Sequence, residues 1–328
     1  MSNNYYLGLD TSNYTTSVAA VDENGKVFFD KRITLNVGKG ERGMRQSQAL
    51  FNHVNNLPEV IKGISGAAEE RGLKLGGVGV SVKPRPAEGS YMPCFLPGWS
   101  AAAAVAEVNN VPLCEFSHQE GHLAAALYGS EEIRKTGLPY IAYHISGGTT
   151  EILMCEGSEV KEIIGGTKDI SIGMLIDRTG VALGLKFPCG KELDRLASTY
   201  EKKSDNPLCR IKTVEGMMNI SGIETQVQRF AAALKPESDI SNIANWVLTR
   251  CGEAIIDSIY QVTEKTGVQT VLMMGGVSSS STIRKQLLLE FQPLEGRYTA
   301  IYFGQPKYCS DNAAGAALLC RLKVCGLK

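Results

Sequence analysis

Two histidines four residues apart are the strongest candidates for chemistry in this sequence. They are His118 and His122, in the segment SHQEGH that covers residues 117–122. On a helix, positions i and i+4 share a face, so both imidazoles could bind one metal ion. The glutamate follows the first histidine by two residues, so the HExxH pattern of zinc proteases, with its catalytic base, is absent. A packed or solvated helix face is the more frequent explanation of such a pair, so a third ligand is needed.

The candidate third ligand is Asp311, in the segment YCSDNAAG that precedes an expected C-terminal helix. Two histidines and one aspartate that leave coordination positions open would suit a catalytic or substrate-holding Fe or Zn ion. The alternative is an N-cap, in which Ser310 or Asp311 accepts hydrogen bonds from the free N–H groups of the helix. The residues by themselves leave both explanations open.

Two glycine-containing turns are typical of phosphate binding. Ser146, Gly147 and Gly148 form the first, while Gly275 and Gly276 link an expected strand to an expected helix. Backbone N–H groups of small-residue turns and the positive end of a helix dipole attract phosphate. Ordinary turn geometry would explain either motif taken alone.

A weak internal repeat organises the chain. Residues 6–18 (YLGLDTSNYTTSV) align with residues 140–152 (YIAYHISGGTTEI) at a constant offset of 134 residues. Each copy is predicted to form a strand, a small polar turn and a second strand. Two unrelated hairpins are the alternative.

Other segments alternate between strand and helix patterns. Strands are expected at 77–82 and 271–274, and helices at 49–70, 98–108, 240–265 and 311–324. Together with the repeat, this alternation predicts an α/β protein with two similar lobes. The cleft between such lobes is where ligands are expected to bind.

The charge balance disfavours a protein that grips nucleic acid by itself. The 328 residues contain 34 Lys plus Arg and 34 Asp plus Glu, and no basic stripe is visible. Nucleic-acid-binding domains usually carry an excess or a clear patch of positive charge. An RNA substrate would therefore require a local patch or partner proteins.

The sequence also favours a protein of the reducing cytoplasm that does not span a membrane. It has no apolar run of transmembrane length and no signal-peptide pattern at its N-terminus. The nine cysteines are scattered and form no CxxC pair, which argues against disulfides and against a Cys-based zinc site.

Six ordered motifs resemble those of the threonylcarbamoyl transferases that make threonylcarbamoyladenosine in tRNA, a family formerly labelled O-sialoglycoprotein endopeptidases. The likeness runs from Leu7 to about Leu322. The segments are similar, in chain order, to the family's HxEGH, SGGHT, FDK with YPGG, FSFSGLKT, AGGVSANRTLR and CTDNGA. In this chain they are HQEGH (118–122), SGG (146–148), Asp177-Arg178-Thr179 with FPCG (187–190), NISGIET (219–225), GGVSSSSTIR (275–284) and CSDNAA (309–314).

This resemblance implies an actin/Hsp70/sugar-kinase-like fold with a nucleotide cleft. One lobe would comprise residues 1–135 together with the C-terminal helix 311–328, and the other residues 136–310. His118, His122 and Asp311 would hold one divalent metal, Fe or Zn. The adenine nucleotide would be threonylcarbamoyl adenylate or ATP. The residues around it would be Ser146, Gly147, Gly148, Asp177, Gly190 and Ser280. Gly275 and Gly276 are added because they form the second of the phosphate-binding turns described above.

The implied reaction passes a threonylcarbamoyl group from its adenylate to the exocyclic amine of an adenosine beside the tRNA anticodon, with AMP leaving. Binding to tRNA through partner proteins of that pathway is expected, and a homodimer or a heterodimer is compatible with the sequence. The implied protein is a metal-dependent acyltransferase of the cytoplasm.

Departures from the family pattern concentrate at the reacting end. Tyr14 and Thr15 replace the inner acidic pair of the family's ETSCDET turn, and Thr149 replaces the histidine of SGGHT. Met174 replaces a glutamate, Ser280 replaces an asparagine, and a longer loop at 83–94 replaces GPG. A related carbamoyl or acyl transferase with another acceptor, or a non-catalytic nucleotide-binding subunit, is therefore the alternative.

Overall fold

The first of two β-sheets is built from the N-terminal part of the chain. The computed structural model describes residues 3–12, 14–36, 44–199, 205–233, 240–293, 298–309 and 313–327. The sheet has the strand order β3-β2-β1-β4-β5. Its strands are β1 (Asn4–Asp10), β2 (Thr15–Asp22), β3 (Val27–Thr34), β4 (Lys74–Lys83) and β5 (Leu113–Ser117).

The second sheet has the order β12-β11-β6-β7-β8-β10-β9. Its strands are β6 (Tyr140–Ile145), β7 (Thr150–Glu156), β8 (Glu159–Thr167), β9 (Lys212–Val214), β10 (Met217–Asn219), β11 (Thr270–Met274) and β12 (Ala300–Phe303). Apart from β9 and β10, its order repeats that of the first sheet. Both sheets combine an antiparallel three-stranded meander with two parallel strands.

The internal repeat corresponds to two hairpins with the same register. Asp10 pairs with Ser17 across β1 and β2, and His144 pairs with Glu151 across β6 and β7. These pairs are related by the offset of the repeat, so the duplication read from the sequence is confirmed. Because register decides which face each side chain occupies, equivalent residues of the two hairpins take equivalent positions.

Twelve helices within the described residues cover the sheets. They are α1 (Gln46–Ile61), α2 (Ile64–Glu69), α3 (Leu96–Val108), α4 (His118–Tyr128), α5 (Glu131–Thr136), α6 (Ile172–Ala182), α7 (Gly190–Ser198), α8 (Ser221–Ala232), α9 (Ser241–Thr266), α10 (Ser281–Glu290), α11 (Pro306–Cys309) and α12 (Ala314–Val324). In this part of the chain, none of them is long and apolar enough to cross a membrane.

The helix expected over 49–70 is two helices. Gly63, between α1 and α2, has a φ of 98°, a left-handed conformation that interrupts the helical backbone. The other expected elements agree within a few residues, although the start of the C-terminal helix at 311 and 312 lies outside the described residues.

Separate apolar cores form against the two sheets. Leu9 and Val80 of the first sheet pack with Val60 of α1 and Ala102 of α3. The second sheet packs mainly against the long helix α9 and against α6 and α7. Burying one face of each sheet under helices is what stabilises an α/β layer. The boundary between the two lobes stays a prediction.

Small residues let α12 approach the first sheet and α4 very closely. A Cβ added to Gly8 of β1 would lie 2.2 Å from the Ala313 carbonyl oxygen, and one added to Gly315 of α12 would lie 1.8 Å from the Gly121 carbonyl oxygen. Backbone atoms cannot yield as flexible side chains do. The close packing therefore fixes the segment that enters α12 beside α4.

We expect Gly315→Ala to destabilise the protein by about 1–3 kcal/mol, or more, because the methyl group would press on the backbone of Gly121. Gly222→Ala in α8 is the matched control, since an added Cβ there meets no atom within 4 Å. The control should be neutral or stabilising by up to about 1 kcal/mol, because alanine is the better helix former. Urea denaturation measures both changes, and equal stability of the two variants would contradict the packing described.

Candidate functional site

The segment HQEGH is placed by a capping box at the start of α4. The Ser117 hydroxyl accepts a hydrogen bond from the Glu120 N–H (3.2 Å), and the Glu120 carboxylate accepts one from the Ser117 N–H (2.7 Å). This reciprocal pair satisfies two N–H groups that a helix start leaves open. Glu120 is therefore a structural residue, and Gly121 provides the contact with α12 described above. The two histidines of the motif remain for chemistry.

The structure brings His118 and His122 together on one buried face of α4. Their Nε2 atoms are 2.9 Å apart, and their ring centroids are 4.3 Å apart. Both side chains are almost fully buried. Two imidazole nitrogens that converge in this way can hold one cation or share one proton.

Asp10, at the end of β1, contacts the ring nitrogen of His118 that does not face His122. Its Oδ2 lies 2.9 Å from Nδ1 of His118, and its Oδ1 accepts a hydrogen bond from the N–H of Ser12 (2.8 Å). Burial by itself would raise the pKa of Asp10, but His118 and the hydrogen bonds from Ser12 and Ser81 outweigh it and hold this pKa below its ordinary value. Since an ionised carboxylate only accepts, Nδ1 of His118 carries the hydrogen and Nε2 is directed towards His122.

His144, on the second sheet, extends the cluster to the other repeat. Its ring centroid lies 5.0 Å from that of His122. His144 occupies the repeat position that corresponds to Asp10, so equivalent strand ends of the two sheets flank the pair. Asp10 and His144 were missed by motif reasoning, although the repeat alignment carried the signal that could have found them.

The third expected ligand, Asp311, lies outside the described residues. Within the described residues, no group of three His, Cys, Asp or Glu side chains is arranged to hold a metal ion. His118 and His122 are thus two converging donors without a described third ligand.

The turn Ser146-Gly147-Gly148 joins β6 to β7. It is closed by a hydrogen bond from the Ser146 N–H to the Thr149 carbonyl oxygen (2.8 Å), and the Ser146 hydroxyl accepts one from the Thr149 N–H (3.2 Å). Gly147 and Gly148 are exposed at its tip. The tip can direct backbone N–H groups at an anion.

Gly275 and Gly276 lie at the end of the neighbouring strand β11. Met274 pairs with His144 in the parallel ladder between β11 and β6. Gly275 has a φ of 89°, and a Cβ there would lie 2.4 Å from the Ile145 carbonyl oxygen, so only glycine fits. The two glycine motifs expected to bind phosphate are therefore adjacent in space.

Asp177 and Gly190 border the same turn. Asp177, on α6, accepts a hydrogen bond from the Cys189 N–H (2.7 Å), directly before Gly190 at the start of α7. A Cβ on Gly147 would lie 3.8 Å from Oδ2 of Asp177. Burial raises the pKa of this carboxyl group.

Ser280 is engaged by an aspartate that the motif reasoning did not select. Its hydroxyl donates to Asp194 of α7 (2.5 Å), and the same carboxylate accepts from the N–H groups of Ser281 (2.8 Å) and Thr282 (3.1 Å). Asp194 therefore caps α10 from a neighbouring helix. Burial would raise its pKa, but these hydrogen bonds outweigh burial and lower it.

The altered residue Tyr14 contacts the segment FPCG. Its ring meets that of Phe187 edge to face, with centroids 5.5 Å apart. This contact joins the turn of the first hairpin to the loop before α7. The aromatic replacement of an acidic residue thus has a packing role on the side of the site where Asp177 and Gly190 lie.

Comparison with known proteins places the chain in a family. The model of the family TsaD, tRNA N6-adenosine threonylcarbamoyltransferase, matches residues 33–318. The chain belongs to this family. A tRNA N6-adenosine threonylcarbamoyltransferase of Streptococcus thermophilus is 26% identical over 324 residues, which cover 97% of this chain and 91% of that protein.

Solved structures of more distant proteins share the fold. Component A of (R)-2-hydroxyglutaryl-CoA dehydratase from Acidaminococcus fermentans aligns with a TM-score of 0.54 at 15% identity, over 98% of this chain and 99% of that one. A ROK family glucokinase from Streptomyces griseus aligns with a TM-score of 0.50 at 14% identity, over 97% and 99% of the chains. The expected actin/Hsp70/sugar-kinase-like fold of this family member is confirmed.

We expect Asp194→Asn to lower the free energy of unfolding by about 1–2 kcal/mol near neutral pH, because the amide cannot accept all the hydrogen bonds that the carboxylate accepts. Since folding lowers the pKa of Asp194, its contribution is present above the unfolded pKa of about 3.9 and is lost as pH falls through the folded pKa. Denaturation of both proteins at several pH values measures this, and a difference that stays constant down to pH values below the folded pKa would contradict it.

Proposed function

We propose that this chain transfers a threonylcarbamoyl group from threonylcarbamoyl adenylate to the exocyclic amine of an adenosine in tRNA. Membership of the threonylcarbamoyltransferase family carries this proposal, because the match spans most of the chain and the relatives named for the activity are covered almost end to end. The same relatives favour tRNA adenosine over another acceptor and favour a transferase over a non-catalytic subunit.

The adenylate would occupy the edge of the second sheet where the glycine motifs meet. The tip of the turn 146–148 supports a phosphate through its exposed backbone, and Gly276 lies in the neighbouring turn. Asp177 of α6, Gly190 at the start of α7 and Ser280 at the start of α10 lie on the adjoining side. Because carboxylate and hydroxyl groups suit sugar hydroxyls better than phosphate, we place the nucleoside on this side and the phosphate at the glycine turns.

A divalent metal, Fe or Zn, fits the histidine pair. Two buried imidazole nitrogens converge, and the carboxylate of Asp10 accepts a hydrogen bond from Nδ1–H of His118. This carboxylate–histidine arrangement fixes the ring orientation of metal ligands in proteins. His118 and His122 would hold the ion, and Asp311 is the proposed third ligand. An ion held there would supply Lewis-acid polarisation of an oxygen of the donor.

The chemistry left to the chain is mainly positioning. The amine nitrogen of adenosine forms a bond to the carbamoyl carbon, the bond from that carbon to the phosphate oxygen breaks, and the amine releases one proton as AMP leaves. The glycine turns would hold the phosphate still while the two reacting atoms meet, which removes an entropic part of the barrier. Asp10 acts through His118 and is a positioning residue.

The substrate RNA is expected to bind with the help of partner proteins. The formal net charge of the chain is zero. Phosphate contacts that grip RNA normally require an excess of Lys and Arg. We also assign the protein to the cytoplasm, since all nine cysteines are free thiols, as is usual in a reducing compartment.

Deletion of the gene should remove threonylcarbamoyladenosine from tRNA, measured by mass analysis of the nucleosides. In vitro, the purified protein with threonylcarbamoyl adenylate, unmodified tRNA and the partner proteins of its own organism should restore the modification. Binding of the adenylate without any modification of tRNA would contradict the proposed acceptor and point to another one.

The purified protein should contain about one Fe or Zn ion per chain, measured by elemental mass spectrometry. His122→Gln should lose most of this metal, because glutamine replaces one of the two converging nitrogens. His53→Gln is the matched control: His53, on α1, is also buried, and its Nδ1 lies 2.8 Å from the Thr16 hydroxyl of β2. Equal metal content in the two variants would remove the pair from the metal site.

A further inference from the structure

A polar cavity adjoins the turn 146–148 and extends beyond the proposed nucleotide and metal sites. Its volume is about 510 Å³, and its wall includes Gly148, Thr149, Glu151 and Arg85. Cavities of this size hold small molecules. It begins where the phosphate is expected to end, so a group joined to that phosphate would extend into it.

Arg85 is brought to the cavity by the loop that follows β4. The loop is fixed on both sides of this residue: the Pro84 carbonyl oxygen accepts from the Gln119 N–H (3.1 Å), and the Arg85 N–H donates to the Ser90 hydroxyl (3.1 Å). The guanidinium Nη1 lies 2.9 Å from Oε1 of Glu151. Gln119 donates to the other oxygen of Glu151 (2.5 Å).

The exposure of the two partners is unequal. The Arg85 side chain is 47% exposed, whereas that of Glu151 is 10% exposed. Glu151 has both oxygens engaged, but a guanidinium has five N–H donors, and Glu151 is its one ionic partner within the described residues. Arg85 therefore keeps donor capacity on the side that faces the cavity.

Besides Arg85 and Glu151, three charged side chains among the described residues line the cavity: Asp169, Glu215 and Lys265. Asp169 is already occupied by the N–H groups of Ile220 (2.9 Å) and Ser221 (2.9 Å). Glu215 and Lys265 are both exposed and carry opposite charges. The cavity thus presents one half-exposed guanidinium beside the small polar residue Thr149.

We propose that this cavity receives the threonyl end of the donor and that Arg85 binds its carboxylate. The inference rests on the proposed function, since it concerns the group that the enzyme transfers. A guanidinium matches a carboxylate with two parallel hydrogen bonds, and the pair with Glu151 already shows that Arg85 takes this kind of partner. An RNA backbone would instead need an open surface with several Lys and Arg side chains, whereas one half-exposed guanidinium suits a single carboxylate.

The test compares two stable probes by calorimetry: the threonylcarbamoyl adenylate analogue with a sulfamate in place of the phosphate, and the same compound with a carboxamide in place of the carboxylate. The wild type should bind the carboxylate probe about tenfold to a hundredfold more tightly. Arg85→Gln should abolish this preference and leave the affinity for AMP unchanged. Arg71→Gln is the matched control, since the Arg71 side chain is 46% exposed beside Glu70 and far from the cavity in the fold.

A second variant separates recognition from a purely structural ion pair. Glu151→Gln removes the competing carboxylate, so it should keep the preference and bind the carboxylate probe at least as tightly as the wild type. If the ion pair between Arg85 and Glu151 only held the loop against β7, Arg85→Gln and Glu151→Gln would both lose affinity for both probes alike. That result would overturn the inference.

Other outcomes distinguish this inference from the proposed function. Equal binding of the two probes by the wild type would overturn the role of Arg85 while leaving the transferase in place. Loss of tRNA binding in Arg85→Gln with the preference retained would assign Arg85 to RNA instead. Failure of the wild type to bind either probe would overturn the proposed function together with the inference.

Discussion

The buried contact between Asp10 and His118 is the interaction on which the site depends. An ionised carboxylate without hydrogen bonds is too costly to bury, and Asp10 is buried completely. Its oxygens are satisfied by the His118 ring and by Ser12. These donors come from the start of α4 and from the turn after β1, so both segments must keep their positions for the carboxylate to stay ionised. Burial of the Asp10 carboxylate therefore requires the first hairpin and α4, which carries the histidine pair, to stay together.

The duplicated architecture explains why the cluster lies between two sheets. Equivalent strands end at Asp10 and near His144, and the histidine pair of α4 lies between these ends. The two residues have diverged into a carboxylate and an imidazole, while the hairpin register has stayed the same. Sheet register is set by the buried face, so it tolerates such an exchange at a strand end.

Departures from the family pattern become intelligible once their contacts are known. Tyr14 packs on Phe187, so its ring stabilises the approach of the first hairpin to the loop before α7. Thr149, Met174 and Arg85 lie together on the wall of one cavity. These three changes therefore lie in one region beside the glycine turn, where we propose contacts to the transferred group.

The sequence by itself determined the repeat, the strand–helix alternation and the position of the histidine pair, because periodicity and spacing are local properties. It also indicated the family through short motifs whose order is preserved. Only the tertiary structure showed that Asp10 contacts His118, that Asp194 engages Ser280 and that Arg85 meets Glu151. Each of these contacts joins a carboxylate to donors whose direction depends on how helices and loops pack, and that direction is not encoded in the spacing of residues along the chain.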